Sequence, residues 1–128
     1  MLDVEQTIKD TEAAIEFLKT HEWGQGQDYS LLTEGYCAFG AIRAAIGGLV
    51  IDGGFPVNND IASLRMGSAE QTEAMRLRER SSNVGRAFYR IIGQDIVRYN
   101  DADSRTKDQV IRAMETVAAE LKRNPDRA

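Results

Sequence analysis

The ten residues from Cys37 to Ile46, CAFGAIRAAI, carry one polar side chain, that of Arg43. A helix that is apolar on nearly every side is buried on nearly every side. The small residues Gly40, Ala41, Ala44 and Ala45 let neighbouring helices approach its backbone closely. The rest of the chain must therefore wrap around this segment, and Gly47-Gly48 follows where glycine commonly ends a helix. The expectation is an all-α single domain covering residues 1–128. Four to six helices surround a buried central helix at about 37–47, and the tail frays from about residue 123.

The flanking segments carry helical signals. Asp3 and Gln6 have capping-box spacing. Val4, Ile8, Ile15 and Leu18 then follow at helical intervals, with Thr11 filling the gap in the stripe, so a helix is predicted over about 4–20. The glycines of WGQGQDY end it in a loop that Trp23 anchors to the core. In LVIDGGFPVNND, Asp52-Gly53 is a turn signal, compatible with a short hairpin or an irregular crossover over about 49–58. Asn59 or Asp60 can cap a short helix through Met66. Ser68 and Gln71 open a long helical pattern through Ala74, Leu77, Ser81, Val84, Phe88 and Ile91. The pattern is expected to break near 81–83 and to end at Gly93. Thr106 and Gln109 repeat the capping-box spacing ahead of an amphipathic helix at 107–122, with Pro125 just past its end.

The 128 residues suit one domain, and with 42% hydrophobic residues the core needs neither disulfide nor metal. A single cysteine cannot form an internal disulfide, which points to a reducing compartment. The N-terminus has acidic residues where a signal peptide has basic ones, and no segment approaches the roughly 20 apolar residues of a membrane span. The reading is cytoplasmic. The formal net charge of −4 is unevenly placed: residues 1–35 sum to −6 and residues 65–98 to +3. A net acidic chain disfavours nucleic acid as the partner of the whole surface.

Two other chemistries rank lower. Cys37 stands at a helix N-terminus, where the backbone dipole favours the thiolate. A cysteine-dependent enzyme also needs a base. The sole histidine, His21, is better explained as the end of the first helix, so Cys37 is read as structural and no catalytic residue is assigned. The arginine-bearing helix 76–90 offers phosphate contacts to a nucleic acid, but Glu73 and Glu79 interleave with its cations and describe a salt-bridged exposed face. One histidine and one cysteine leave carboxylates as the other strong metal ligands, and NNDIAS and YNDADS are too short for a calcium loop. No metal or cofactor is expected.

Two stretches, YCAFGAIRAA from Tyr36 and YNDADSRTKDQVIRAM from Tyr99, together resemble a family of small uncharacterised proteins of actinobacteria and their phages, a domain of unknown function. The shared features are an aromatic–Cys–x–x–Gly–Ala start to a buried helix and an aromatic–Asn–Asp segment leading through Arg-Thr into a final helix. The resemblance implies no known activity. It implies a phage or prophage accessory protein, in keeping with arginine outnumbering lysine twelve to four.

The residues alone read Asn100-Asp101 as a turn. The alternative is a polar binding site built from Asn100, Asp101 and Arg105. Arg43 joins this set because a buried guanidinium needs a partner, and Asp101 is the expected one. The leading function is a non-enzymatic accessory protein that binds another protein, with self-association as a further possibility. A cysteine-dependent enzyme and a nucleic-acid-binding helical domain are the alternatives.

Overall fold

Asp3 starts the first helix as its spacing predicts, its carboxylate accepting from the Gln6 amide at 3.1 Å. In the computed structural model, which describes residues 3–26, 29–30, 35–46 and 69–127, that helix, α1, runs over Val4–Thr20. Only half of the capping box forms, because the Gln6 side chain turns away and donates to Asp10 Oδ1 at 2.9 Å. Thr7 and Thr11 lie on the buried face. Their hydroxyls donate back to the carbonyls of Asp3 and Thr7, which satisfies them without a partner from another helix. His21 ends α1, with Nδ1 2.8 Å from the Phe17 carbonyl and its ring stacked on Phe17 at 3.7 Å.

Three two-residue strands follow: β1 (Glu22–Trp23), β2 (Tyr29–Ser30) and β3 (Gly35–Tyr36). Their order is β1-β3-β2, with β3 parallel to β1 and antiparallel to β2. Gly35 makes the parallel approach possible, since a Cβ there would lie 2.8 Å from the Trp23 carbonyl oxygen. The strands were not foreseen, because two-residue pairings leave no alternating pattern to read.

The remaining elements among the described residues are helical, so these residues form an all-α fold apart from this small sheet. They are α2 (Ala38–Ile46), α3 (Ala69–Ile92), α4 (Ile96–Asp101) and α5 (Lys107–Arg123), with a single 3-10 turn at Pro125–Arg127. Helix α2 packs against α1, α3 and α4. Ala38, Gly40, Ala41 and Ile42 are buried, whereas Phe39 and the residues from Arg43 to Ile46 are half-buried, so burial on nearly every side does not hold along the whole helix. Helix α5 carries the full capping box between Thr106 and Gln109. Phe88, Leu18, Ile42, Met114, Leu121, Val84, Val110 and Val117 are the largest apolar side chains of the core.

Helix α3 runs unbroken through the expected break at 81–83. Its polar residues are absorbed locally: the Ser81 hydroxyl donates to Leu77 O at 3.2 Å, and Asn83 Oδ1 accepts from Arg86 at 3.2 Å. Gly93 ends the helix as expected, with φ of 85° and its N–H donating to Tyr89 O at 2.8 Å. Asp95 then caps α4 by accepting from the Val97 and Arg98 amides. The turn expected at Asn100-Asp101 is instead the last turn of this short helix. The expectations for Gly47-Gly48, residues 49–58, Asn59 to Met66 and the Ser68 cap lie outside the described residues.

Candidate functional site

Asn100 is fully buried at the end of α4 and bonds to two distant parts of the chain and to its neighbour Asp101. Its Oδ1 accepts from the Trp23 indole at 2.7 Å and from the Ala38 amide at 2.9 Å. Its Nδ2 donates to Gly24 O at 3.0 Å and to Asp101 Oδ1 at 3.0 Å. All the polar capacity of a buried amide is thereby used, which is the condition for placing one in a core. Asp101 Oδ1 also accepts from the Gly26 amide at 3.0 Å. Gln25 Nε2 donates to the carbonyls of Asn100 and Ala102, at 2.8 and 3.1 Å, so the loop after α1 satisfies the C-terminal carbonyls of α4. Lys107 Nζ donates to His21 O at 2.7 Å on the same side.

Helix α2 begins on this hub. An α-helix leaves its first N–H groups without intrahelical acceptors. Here Asn100 takes the Ala38 N–H and the Cys37 sulfur takes the Gly40 N–H, at 3.3 Å. Ala38 and Asn100, one from each of the two stretches that stand out in the sequence, are thus joined by a hydrogen bond.

Cys37 is 4% exposed, and the His21 ring nitrogen is engaged by Thr20 and the Phe17 carbonyl rather than by sulfur. A buried thiol of this kind is expected to react with a disulfide reagent far more slowly in the native protein than in urea. Timed native labelling checks this, and rapid stoichiometric labelling without denaturant would count against the structural role.

Of the four residues proposed from the sequence, the structure brings Asn100, Asp101 and Arg105 into one neighbourhood. The Arg105 guanidinium lies 3.7 Å over the Tyr99 ring, and its Nε donates to Tyr99 O at 2.8 Å. Arg43 is not joined to them. The expected Arg43–Asp101 pair does not form; Asp101 Oδ1 instead accepts from Gly26 and Asn100. Arg43 is half-buried and its guanidinium lies 5.7 Å from the centre of the Phe39 ring. Sequence reasoning also missed Trp23, Gln25 and Ala38 as partners of Asn100. Sequence separations of 62 to 77 residues leave no local signal for such bonds.

The arginines of α3 are unevenly paired. Arg80 bonds Asp10 through both Nε and Nη2, at 3.1 and 2.7 Å, and Asp10 is buried. That bond holds the Arg80 guanidinium above its usual range. A raised cationic group stabilises the fold below its unfolded pKa, and this contribution is lost as pH rises through the folded value, in strong alkali. Arg76 pairs with Glu73 at 2.7 Å and lowers that carboxyl's pKa. Further along, Arg86 and Arg98 are exposed and meet no carboxylate among the described residues.

Beside Arg86 lies a groove of about 460 Å3 between α3 and α4, lined by Phe39, Ser82, Gly85, Arg86, Tyr89, Asp95, Ile96 and Val97. Tyr89 is 60% exposed and Val97 41%. A Cβ at Gly85 would stand in ordinary contact with the Phe39 ring, at 3.7 Å. A second hollow of about 420 Å3 between α1 and α5 is crossed by charges that neutralise one another: Lys122 with Glu12, and Lys19 with Glu16 and Glu115. Among the described residues, no group of three or more His, Cys, Asp or Glu side chains is placed to hold a metal ion. No helix among them is long and apolar enough to cross a membrane.

Fold and site together define an all-α domain whose central helix is capped by a buried asparagine from a distant helix, with an open apolar groove on another face. Over residues 4–120 the chain matches a family described as a family of unknown function, DUF6197, and it belongs to that family. Comparisons with curated proteins and with solved structures each found no match.

Proposed function

We propose that this protein is a non-enzymatic accessory domain that acts in the cytoplasm by binding another protein through the α3–α4 face. The observation that carries the reading is the exposure of Tyr89 and Val97 over the groove floored by Phe39, Gly85 and Ile96. Aromatic side chains and arginines are the residues most often found at the energetic centres of protein interfaces. The buried, hydrogen-bonded sulfur of Cys37 weighs against a cysteine enzyme. The pairing of Arg76 and Arg80 with carboxylates shortens any cationic track for a nucleic acid. The resemblance of the two motif stretches and the arginine bias support an actinobacterial phage or prophage setting.

A photo-crosslinking residue at position 89, with a control at Arg112 on α5, tests the reading in cells of the native host. The expected result is a discrete protein adduct at 89 that Val97→Asp abolishes while the circular dichroism and melting temperature of the variant stay unchanged. Absence of an adduct at 89, or equal adducts at both positions, would overturn it.

A further inference from the structure

Helix α3 shows solvent a stripe whose two halves complement each other. Met75, Glu79, Ser82, Arg86 and Tyr89 follow at intervals of four, three, four and three residues, the spacing that keeps side chains on one helical face. The core takes the opposite face, through Ala74, Ser81, Val84, Ala87 and Phe88. Met75 is 54% exposed and Tyr89 60%, and each stands seven residues from Ser82. Glu79 and Arg86, both exposed, lie on either side of Ser82. They are about 10 Å apart along the helix axis, too far to pair with each other. Among the described residues Glu79 meets no cation, and Arg86 bonds only to the neutral Asn83, at 3.2 Å. Ser82, Arg86 and Tyr89 also line the α3–α4 groove, so stripe and groove form one continuous face.

Resting on the docking reading above, we propose that the protein bound on this face is a second copy of this chain, in a two-fold dimer whose α3 helices run antiparallel and cross at Ser82–Asn83. A two-fold axis there sets Glu79 opposite the partner's Arg86 and Met75 opposite the partner's Tyr89, each contact occurring twice. Both charges gain an opposite charge, the two large exposed apolar side chains of α3 are covered, and the thioether lies against an aromatic ring. The small side chain of Ser82 lets the two helices approach at the crossing.

Charge complementarity selects this occupant. One acid and one base placed about a common centre are complementary to their own reversed copy, whereas a parallel pairing would set Glu79 on Glu79 and Arg86 on Arg86. In the antiparallel pair the two Arg86 side chains stay about 10 Å apart along the axis, each beside a carboxylate. Arg78 and Arg90 lie to opposite sides of the stripe, and the two-fold axis keeps them there, so neither is set against the other.

Sedimentation equilibrium of the full chain over a concentration series tests the pairing, with circular dichroism verifying that each variant is folded. The expected result is a monomer–dimer equilibrium with a dissociation constant on the order of micromolar, as suits an interface of one helix per subunit. Glu79→Arg and Arg86→Glu should each weaken the dimer roughly 10–30-fold, since each turns two attractions into two repulsions. The double variant Glu79→Arg/Arg86→Glu reverses both signs and should return to within about threefold of the wild type. Tyr89→Ala should weaken the dimer roughly tenfold or more, and Arg112→Glu on α5 should leave it unchanged. The wild-type dimer should also loosen as salt rises.

A chain that stays monomeric to about 1 mM while a crosslinker at 89 captures a different protein would overturn the inference and leave the docking reading standing. A dimer that ignores the α3 substitutions, or that the double variant fails to restore, would likewise overturn the inference, and the docking reading would then stand or fall by the adduct at 89. A monomer with no adduct at 89 would overturn both.

Discussion

Asn100→Ala is expected to destabilise the protein by roughly 3–5 kcal/mol, because each buried polar group left without a partner costs about 1–3 kcal/mol. Three groups lose their partner at once: the Trp23 indole N–H, the Ala38 amide and the Gly24 carbonyl. A water filling the vacated space would recover part of the loss, so the total falls below the simple sum. Urea denaturation measures the effect. Asn100→Asp discriminates between shape and hydrogen bonding, since it keeps the volume and both acceptor roles. It cannot donate to Gly24 when ionised, and it sets a second carboxylate against Asp101. It should rescue little. A loss under about 1 kcal/mol for the alanine variant, no more than one ordinary hydrogen bond, would mean that the hub does not hold the fold together.

The second large effect is expected at the Arg80–Asp10 pair, which joins α3 to α1. Removing one partner of a buried ion pair typically costs roughly 3–5 kcal/mol, because the other charge is stranded. The two ends differ here. The Asp10 side chain is 6% exposed and would keep only Gln6 as a partner, whereas Arg80 is 23% exposed and can turn its long side chain toward water. Arg80→Ala should therefore cost more than Asp10→Ala, and the double variant much less than the sum of the two. Additive losses in a urea double-mutant cycle would show that the two side chains do not act as a pair.

What the sequence revealed of this architecture followed from periodicity and capping. The apolar run at 37–46, the Asp3 and Thr106 caps, and Gly93 each act through residues a few positions away, so their signals survive in the linear chain. The Ser81-Ser82-Asn83 stretch misled because serine and asparagine favour turns as readily as they bond within a helix, and burial against the core decided between them. Helix α4 was missed because six residues are too short to show a helical stripe. The candidate site was half legible. Asn100, Asp101 and Arg105 do cluster, yet the residues that complete the cluster come from the loop after α1 and the start of α2. Arg43 was paired with Asp101 on the premise of full burial, but Arg43 is half-buried and the Asp101 carboxylate meets Gly26 and Asn100. The groove left no trace in the sequence, because exposure of Tyr89 and Val97 follows from how α3 and α4 meet.

Trp23 is the chain's only tryptophan, and its indole N–H is held by Asn100 where the loop after α1, the start of α2 and the end of α4 converge. The protein therefore carries an intrinsic optical reporter at a long-range junction. Ultraviolet emission excited at the indole band tracks the closing of that junction with no label and no engineered residue. Circular dichroism, dominated by α1, α3 and α5, tracks the helices. Followed side by side through a denaturant titration, the two signals separate the opening of one joint from the melting of the whole.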